Sequence, residues 1–131
     1  MTGSEKTKRA GIPTNAVATS EWLDSRKFWG SGRGIVICAG GTQMFTNAWV
    51  LVWLLRRVLG CTLSMEIWHL GPSEMSSSMR GILEDNGATV VDASAVLRRY
   101  PAQISDGWQL KPYALIMSGF REVLMLDADN V

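Results

Sequence analysis

The sequence predicts an α/β domain built on a parallel sheet. Four short apolar runs recur along the chain, GIVICAGG, LSMEIWHLG, ATVVDA and VLMLD. Stretches with helical character separate them, so the order is strand, helix, strand, helix, strand, helix, strand, the α/β order. The connections are long enough for crossovers, which implies parallel neighbours and a right-handed path.

Residues 1–20 are polar, small and without a clear period, and are expected to form a flexible tail, leaving 21–131 as the folded part. Ser20 is placed to cap a short helix through EWLDSRKFW, with Asp24 early and Arg26 and Lys27 late. Gly30, Gly32 and Gly34 then break it. Residues 34–41 are continuously apolar and end in small residues, as expected of a strand buried on both faces. Residues 44–59 read as a buried helix and 63–71 as a second strand ended by Gly71-Pro72. Ser73 is placed to cap a helix running through Glu84. Residues 88–93 form a third strand with Asp92 at its tip, and VLRRY makes one or two helical turns. A loop over 100–108 leads to a helix over 109–120, with Pro112 early enough to be tolerated. VLMLD is the fourth strand.

Composition excludes several classes. The chain has 131 residues and a formal charge of +1, with no sustained basic tract, so nucleic acid is not an expected partner. Cys38 and Cys61 are too few for a disulfide scaffold. With His69 as the sole histidine, a zinc site is not expected. The apolar run MFTNAWVLVWLL is shorter than the ~20 residues a membrane span needs, and Arg56 and Arg57 close it. No targeting or membrane segment is visible in the sequence. CAGGTQ lacks the GxGxxG spacing of a dinucleotide site.

Ligands of parallel sheets gather beyond the carboxyl ends of the strands. That edge is expected to present Ala39-Gly40-Gly41, His69-Leu70-Gly71, Asp92 and Asp127-Ala128-Asp129. Asp127 and Asp129 are separated by one residue, so a strand end turning into a loop lets both converge on one cation. Two nearby carboxylates repel unless a cation or proton compensates. Mg²⁺ or Mn²⁺ suits carboxylate oxygens, and such an ion also holds the phosphates of a nucleotide. Gly40 and Gly41 let a nucleotide approach the backbone closely.

GRGIVICAGG, MEIWHLG, VVDA and DGWQLKPYALIMSGFREVLMLDADNV together resemble the fungal α-mannosyltransferases that extend cell-wall and secretory glycans, over about residues 33–131. Those enzymes are retaining, use nucleotide sugars and have the GT-A fold, a Rossmann-like parallel-sheet sandwich. The resemblance implies that Asp127 and Asp129 are the DxD motif binding Mn²⁺ (or Mg²⁺) and the donor diphosphate. It places Ala39, Gly40 and Gly41 at the nucleoside, Asp92 at the base or ribose, and Lys111 at the donor phosphate or sugar, where a cation helps neutralise the leaving group. Trp108 and Gln109 are candidates for the same cleft, and His69 is read as a structural histidine. The implied donor is GDP-mannose and the acceptor a mannose-bearing glycan, in the Golgi lumen at a membrane. No catalytic residue is assigned.

In that family the DxD strand sits near the middle of the catalytic domain, so the sequence reads as the donor-binding half of an enzyme, truncated after the DxD strand. Little or no transferase activity is expected of the 131 residues alone. The fourth strand is expected to lie where further strands would continue the sheet, leaving an open apolar edge. The alternative is an inert or nucleotide-binding remnant. LMLDADNV also fits the opening motif of haloacid-dehalogenase-like phosphatases, with Asp127 as nucleophile, but that motif sits near the start of its domain.

Overall fold

The structure, a computed structural model, describes residues 32–129. The expected tail and the helix capped by Ser20 lie outside the described residues. Four strands, β1 (Arg33–Cys38), β2 (Ser64–His69), β3 (Ala88–Asp92) and β4 (Glu122–Asp127), form one sheet in the order β3-β2-β1-β4. All three pairings are parallel, so the α/β, Rossmann-like expectation holds. Helix α1 (Gly41–Trp53) follows β1, α2 (Ser77–Asp85) follows β2, and α3 (Ala93–Arg99) and α4 (Gly107–Met117) fill the path from β3 to β4.

The two-residue period of the strands sorts their side chains onto two faces. Ile35, Ile37, Met65, Ile67 and Val90 pack with Phe45, Ala48, Leu51, Val52 and Leu83, so one face is covered by α1 and α2. Val36, Cys38, Trp68 and Val91 pack with Val96, Leu110, Ala114 and Met117, so the other face is covered by α3 and α4. Burial on both faces is why β1 is an unbroken apolar run after Arg33 and Gly34. Glycine at 34 is required by packing, because a Cβ there would collide with the Phe120 ring.

Three boundaries differ from expectation. The first helix begins at Gly41 rather than at 44, and beyond Trp53 it loosens into a π-helical turn, Leu54–Val58. It is also one-sided rather than buried all round, with Trp49, Val50 and Trp53 exposed among the described residues. Arg56 does more than close the apolar run. Its guanidinium donates to the carbonyls of Cys61, Leu63, Asn86 and Gly87, tying the end of this helix to the turn before β3.

The second difference is the cap of α2. Pro72–Glu74 forms a separate 3-10 turn, and Ser76, not Ser73, is the N-cap, its Oγ accepting from Met79 N at 3.2 Å. The proline after Gly71 starts its own turn, which displaces the α-helical start by one further turn. Ser76→Ala is expected to lower stability by about 1 kcal/mol, readable in a urea titration, while Ser73→Ala leaves the midpoint unchanged.

Third, α4 starts at Gly107, capped by Asp106, which accepts from Gln109 N at 3.0 Å. This start brings Trp108 and Lys111 onto the first turns of the helix. Pro112 is the sixth residue of the helix, past the first turn, so the i→i−4 bond to the Trp108 carbonyl is missing there. Tyr113 pins the helix by donating to Tyr100 O at 2.7 Å. Burial pushes its phenol up to about 12.

Candidate functional site

In the order β3-β2-β1-β4 the chain leaves β1 toward β2 and β3 and later returns to the other side of β1. The crevice between the carboxyl ends of β1 and β4 is therefore the topological switch point, where open parallel sheets bind ligands. A cavity of about 460 Å³ sits there. Its floor is Cys38, Ala39 and Gly40, one wall is Leu70 and Glu74, and the other is Trp108, Lys111, Asp127 and Asp129.

The two acids owe their placement to the residue between them. Ala128 is 1% exposed and packs in the core on the α1 side of the sheet. Asp127 and Asp129 flank it, remain exposed, and both line the cavity. Asp127 pairs in register with Cys38, at the last rung of β1 and β4. Lys111 Nζ reaches across from α4 to Asp127 Oδ1 at 2.7 Å and lies 4.3 Å from the centre of the Trp108 ring. Lys111 is thus held between a carboxylate and an aromatic face, inside the cavity and beside the acids.

This charge set suits a hard divalent ion in one particular way. Among the described residues no group of three or more His, Cys, Asp or Glu side chains gathers into a ready-made cage. Two carboxylates at the mouth of an open cavity fit an ion such as Mg²⁺ or Mn²⁺, which keeps several waters or phosphate oxygens as ligands and takes only one or two carboxylates from protein.

The other candidates divide into those inside the cavity and those outside it. Ala39 and Gly40 line it, and Gly40 is glycine for a steric reason, since a Cβ there would collide with the Glu74 carboxylate. Gly41 is not among the lining residues. It opens α1 with φ at +79°, a left-handed conformation that excludes most side chains. Asp92 also lies outside the lining. Its Oδ1 accepts from Gly71 N at 3.0 Å, Ser94 N at 2.9 Å and Ser94 Oγ at 2.7 Å, so it caps α3 and clamps the loop after β2. Gln109 is likewise absent from the lining, its Oε1 accepting from Ser105 N at 2.6 Å and Ser105 Oγ at 3.0 Å.

His69 is 2% exposed. Its Nδ1 sits 2.8 Å from Gly71 O, which makes Nδ1 the protonated nitrogen of the neutral ring, and Nε2 is buried without a partner. Burial holds the imidazole below its ordinary value of 6.5, against an opposing pull from Asp92. The unfolded chain therefore takes up a proton that the folded one refuses. The stability His69 contributes is complete above pH 6.5 and declines as pH falls toward its folded value, by at most about 1.4 kcal/mol per pH unit. The melting temperature is expected to fall between pH 7 and 5.5, and His69→Gln to flatten that profile.

Cys38 lies on the cavity floor. Burial pushes its thiol up to about 12, with Lys111 pulling it down and Asp127 pushing it further up. The thiolate, the reactive form, is then vanishingly rare at neutral pH.

Two residues of consequence carry no signal in the sequence pattern. Glu66 is buried at 1% in the middle of β2, accepting from Trp68 Nε1 and from Gly119 N, both at 2.8 Å. Glu74 lines the cavity and accepts from Leu70 N at 2.8 Å. A lone acid within an apolar strand and an acid inside a Gly-Pro-Ser-Glu turn both look like solvent-facing residues. Only the three-dimensional neighbours distinguish them.

The fold is a parallel α/β domain with a cavity at its switch point lined by Asp127, Asp129 and Lys111. A family model described as "Mannosyltransferase putative" matches residues 32–131, and the chain belongs to that mannosyltransferase family. Comparisons with curated proteins and with solved structures return no match. The shared chemistry of such a family moves a mannosyl group from a sugar donor to a glycan acceptor. No helix among the described residues is long and apolar enough to cross a membrane.

Proposed function

We propose that this chain binds GDP-mannose for retaining mannosyl transfer to a glycan acceptor in the Golgi lumen, with Asp127 and Asp129 holding Mn²⁺ or Mg²⁺ against the donor diphosphate. The observation that carries the reading is the meeting of Asp127, Asp129 and Lys111 in one cavity at the sheet's switch point. When bound, the ion would supply positive charge to the diphosphate as it leaves the sugar.

The chain's own residues do the rest. Lys111 exchanges its contact with Asp127 for a phosphate oxygen, or shares it, and adds a second positive charge to the leaving group. Gly40 leaves room on the floor for the Glu74 carboxylate, which a Cβ there would strike. Leu70, Leu110 and Met44 supply apolar wall and exclude water from part of the cavity.

Calorimetric titration of the protein with GDP-mannose, with and without Mn²⁺, tests this. Binding that depends on Mn²⁺ and prefers GDP-mannose over other nucleotide sugars is the expected result. Equal affinity in the presence of a chelator contradicts it.

A further inference from the structure

We infer that Glu74 holds the ribose hydroxyls of the nucleotide donor, an inference that rests on the donor-site reading above. Asp92, at the tip of β3, is the residue whose sequence position suggests a ribose contact. In the structure it is outside the cavity, its Oδ1 occupied by Gly71 and Ser94. Glu74 is the acidic side chain lining the wall on the β2 side of the cavity, opposite Asp127 and Asp129.

Its position is built rather than incidental. Glu74 ends the 3-10 turn after β2, and Oε1 is fixed by Leu70 N at 2.8 Å. The carboxylate then lies over the bare Cα of Gly40, where any Cβ would strike it. Gly40 therefore leaves room for this acid at the cavity floor. A carboxylate oxygen accepts from more than one donor, so the fixed group retains capacity for a pair of neighbouring hydroxyls.

The spacing fits a nucleoside diphosphate. β1 lies between β2 and β4, so the ends of β2 and β4 are two strand spacings apart, about 10 Å. With the diphosphate at Asp127, Asp129 and Lys111, the ribose extends past the end of β1 toward Glu74 on the β2 side. An acid beyond the carboxyl end of the second strand is also where doubly wound dinucleotide folds place their ribose ligand. Here the same chemistry is reached from a turn rather than from the strand tip.

Affinities of GDP, UDP, their 2′-deoxy and 3′-deoxy forms and inorganic diphosphate, all with Mn²⁺, are measured for the native chain, Glu74→Gln and Glu74→Ala. The native chain is expected to prefer each ribonucleotide to its deoxy forms by about tenfold. Glu74→Gln keeps the acceptor for Leu70 N and loses several-fold in ribonucleotide affinity. Glu74→Ala brings the ribose and deoxyribose affinities together. Diphosphate affinity stays unchanged in both variants, which also shows that the site remains folded. Loss of diphosphate binding along with nucleotide binding overturns the assignment, as does a changed preference between GDP and UDP with the ribose preference intact. Failure of the native chain to bind diphosphate defeats the donor-site reading itself, and this inference with it.

Discussion

Asp127→Ala is expected to reduce the affinity for Mn²⁺ with GDP by at least about 100-fold, more than a residue merely supporting a metal ligand costs. Asp129→Ala is expected to do the same. The two variants differ in what remains. Removing Asp127 also removes the partner that Lys111 meets at 2.7 Å, and leaves the ammonium free to take a phosphate oxygen directly. Asp127→Ala should therefore keep weak nucleotide binding that no longer depends on metal. Asp129→Ala, with the Lys111–Asp127 pair intact, should keep less.

Lys111→Met makes the converse test. A positive charge beside two carboxylates opposes a cation and favours an anion. Its removal should raise the affinity for Mn²⁺ alone and lower the affinity for diphosphate. A merely structural lysine would move neither. Both are measured by titration calorimetry, and equal, unshifted values for all three variants would remove these residues from the site.

The second large effect lies away from the cavity. Glu66→Ala is expected to destabilise the fold by about 3 kcal/mol or more. The carboxylate accepts from the Trp68 indole and from Gly119 N at the end of α4. Each buried donor left without a partner costs about 1–3 kcal/mol. At roughly 4 °C per kcal/mol for a domain of this size, the melting temperature should fall by about 10 °C or more. Glu66→Gln keeps one accepting oxygen and should lose about half as much. A melting temperature within about 2 °C of native for Glu66→Ala would show that the carboxylate is not the tie between β2 and α4.

Much of this was legible in the residues. GIVICAGG reads as a strand because a continuous apolar run bounded by small residues suits burial on both faces, and β1 is covered by helices on both sides. The DxD triplet reads as a ligand site because it follows four apolar residues at a strand end. The structure adds the reason both acids emerge together, the burial of Ala128. Lys111 was recognisable only through family resemblance, and its contact with Asp127 depends on how α4 crosses the sheet.

What the sequence hid has physical causes. Asp92 looks like a ligand at a strand tip, and nothing local says that Gly71 and Ser94 will occupy it. Glu66 and Glu74 look solvated, because the sequence shows neither the Gly119 N–H that Glu66 accepts from across the fold nor the fold back of the turn that sets Glu74 on Leu70 N beside Gly40. Ser73 and Ser76 are equally good caps by type, and the proline at 72 decides between them by starting a turn of its own. The exposure of Trp49 and Trp53 was invisible because an apolar helix has no pattern that marks its outer side.

β4 forms the margin of the described sheet, paired with β1 alone, and Leu124 on it is exposed at 53%. This matches the apolar edge expected from the sequence.

A crystal structure of the protein with Mn²⁺ and GDP, with the ion located by its anomalous scattering, tests the central claim most directly. The account predicts one strong peak within coordination distance of carboxylate oxygens from both Asp127 and Asp129, with the diphosphate on its far side and Lys111 Nζ turned toward a phosphate oxygen. An ion held elsewhere, or a nucleotide seated outside the cavity with the Lys111–Asp127 pair still closed, would contradict it.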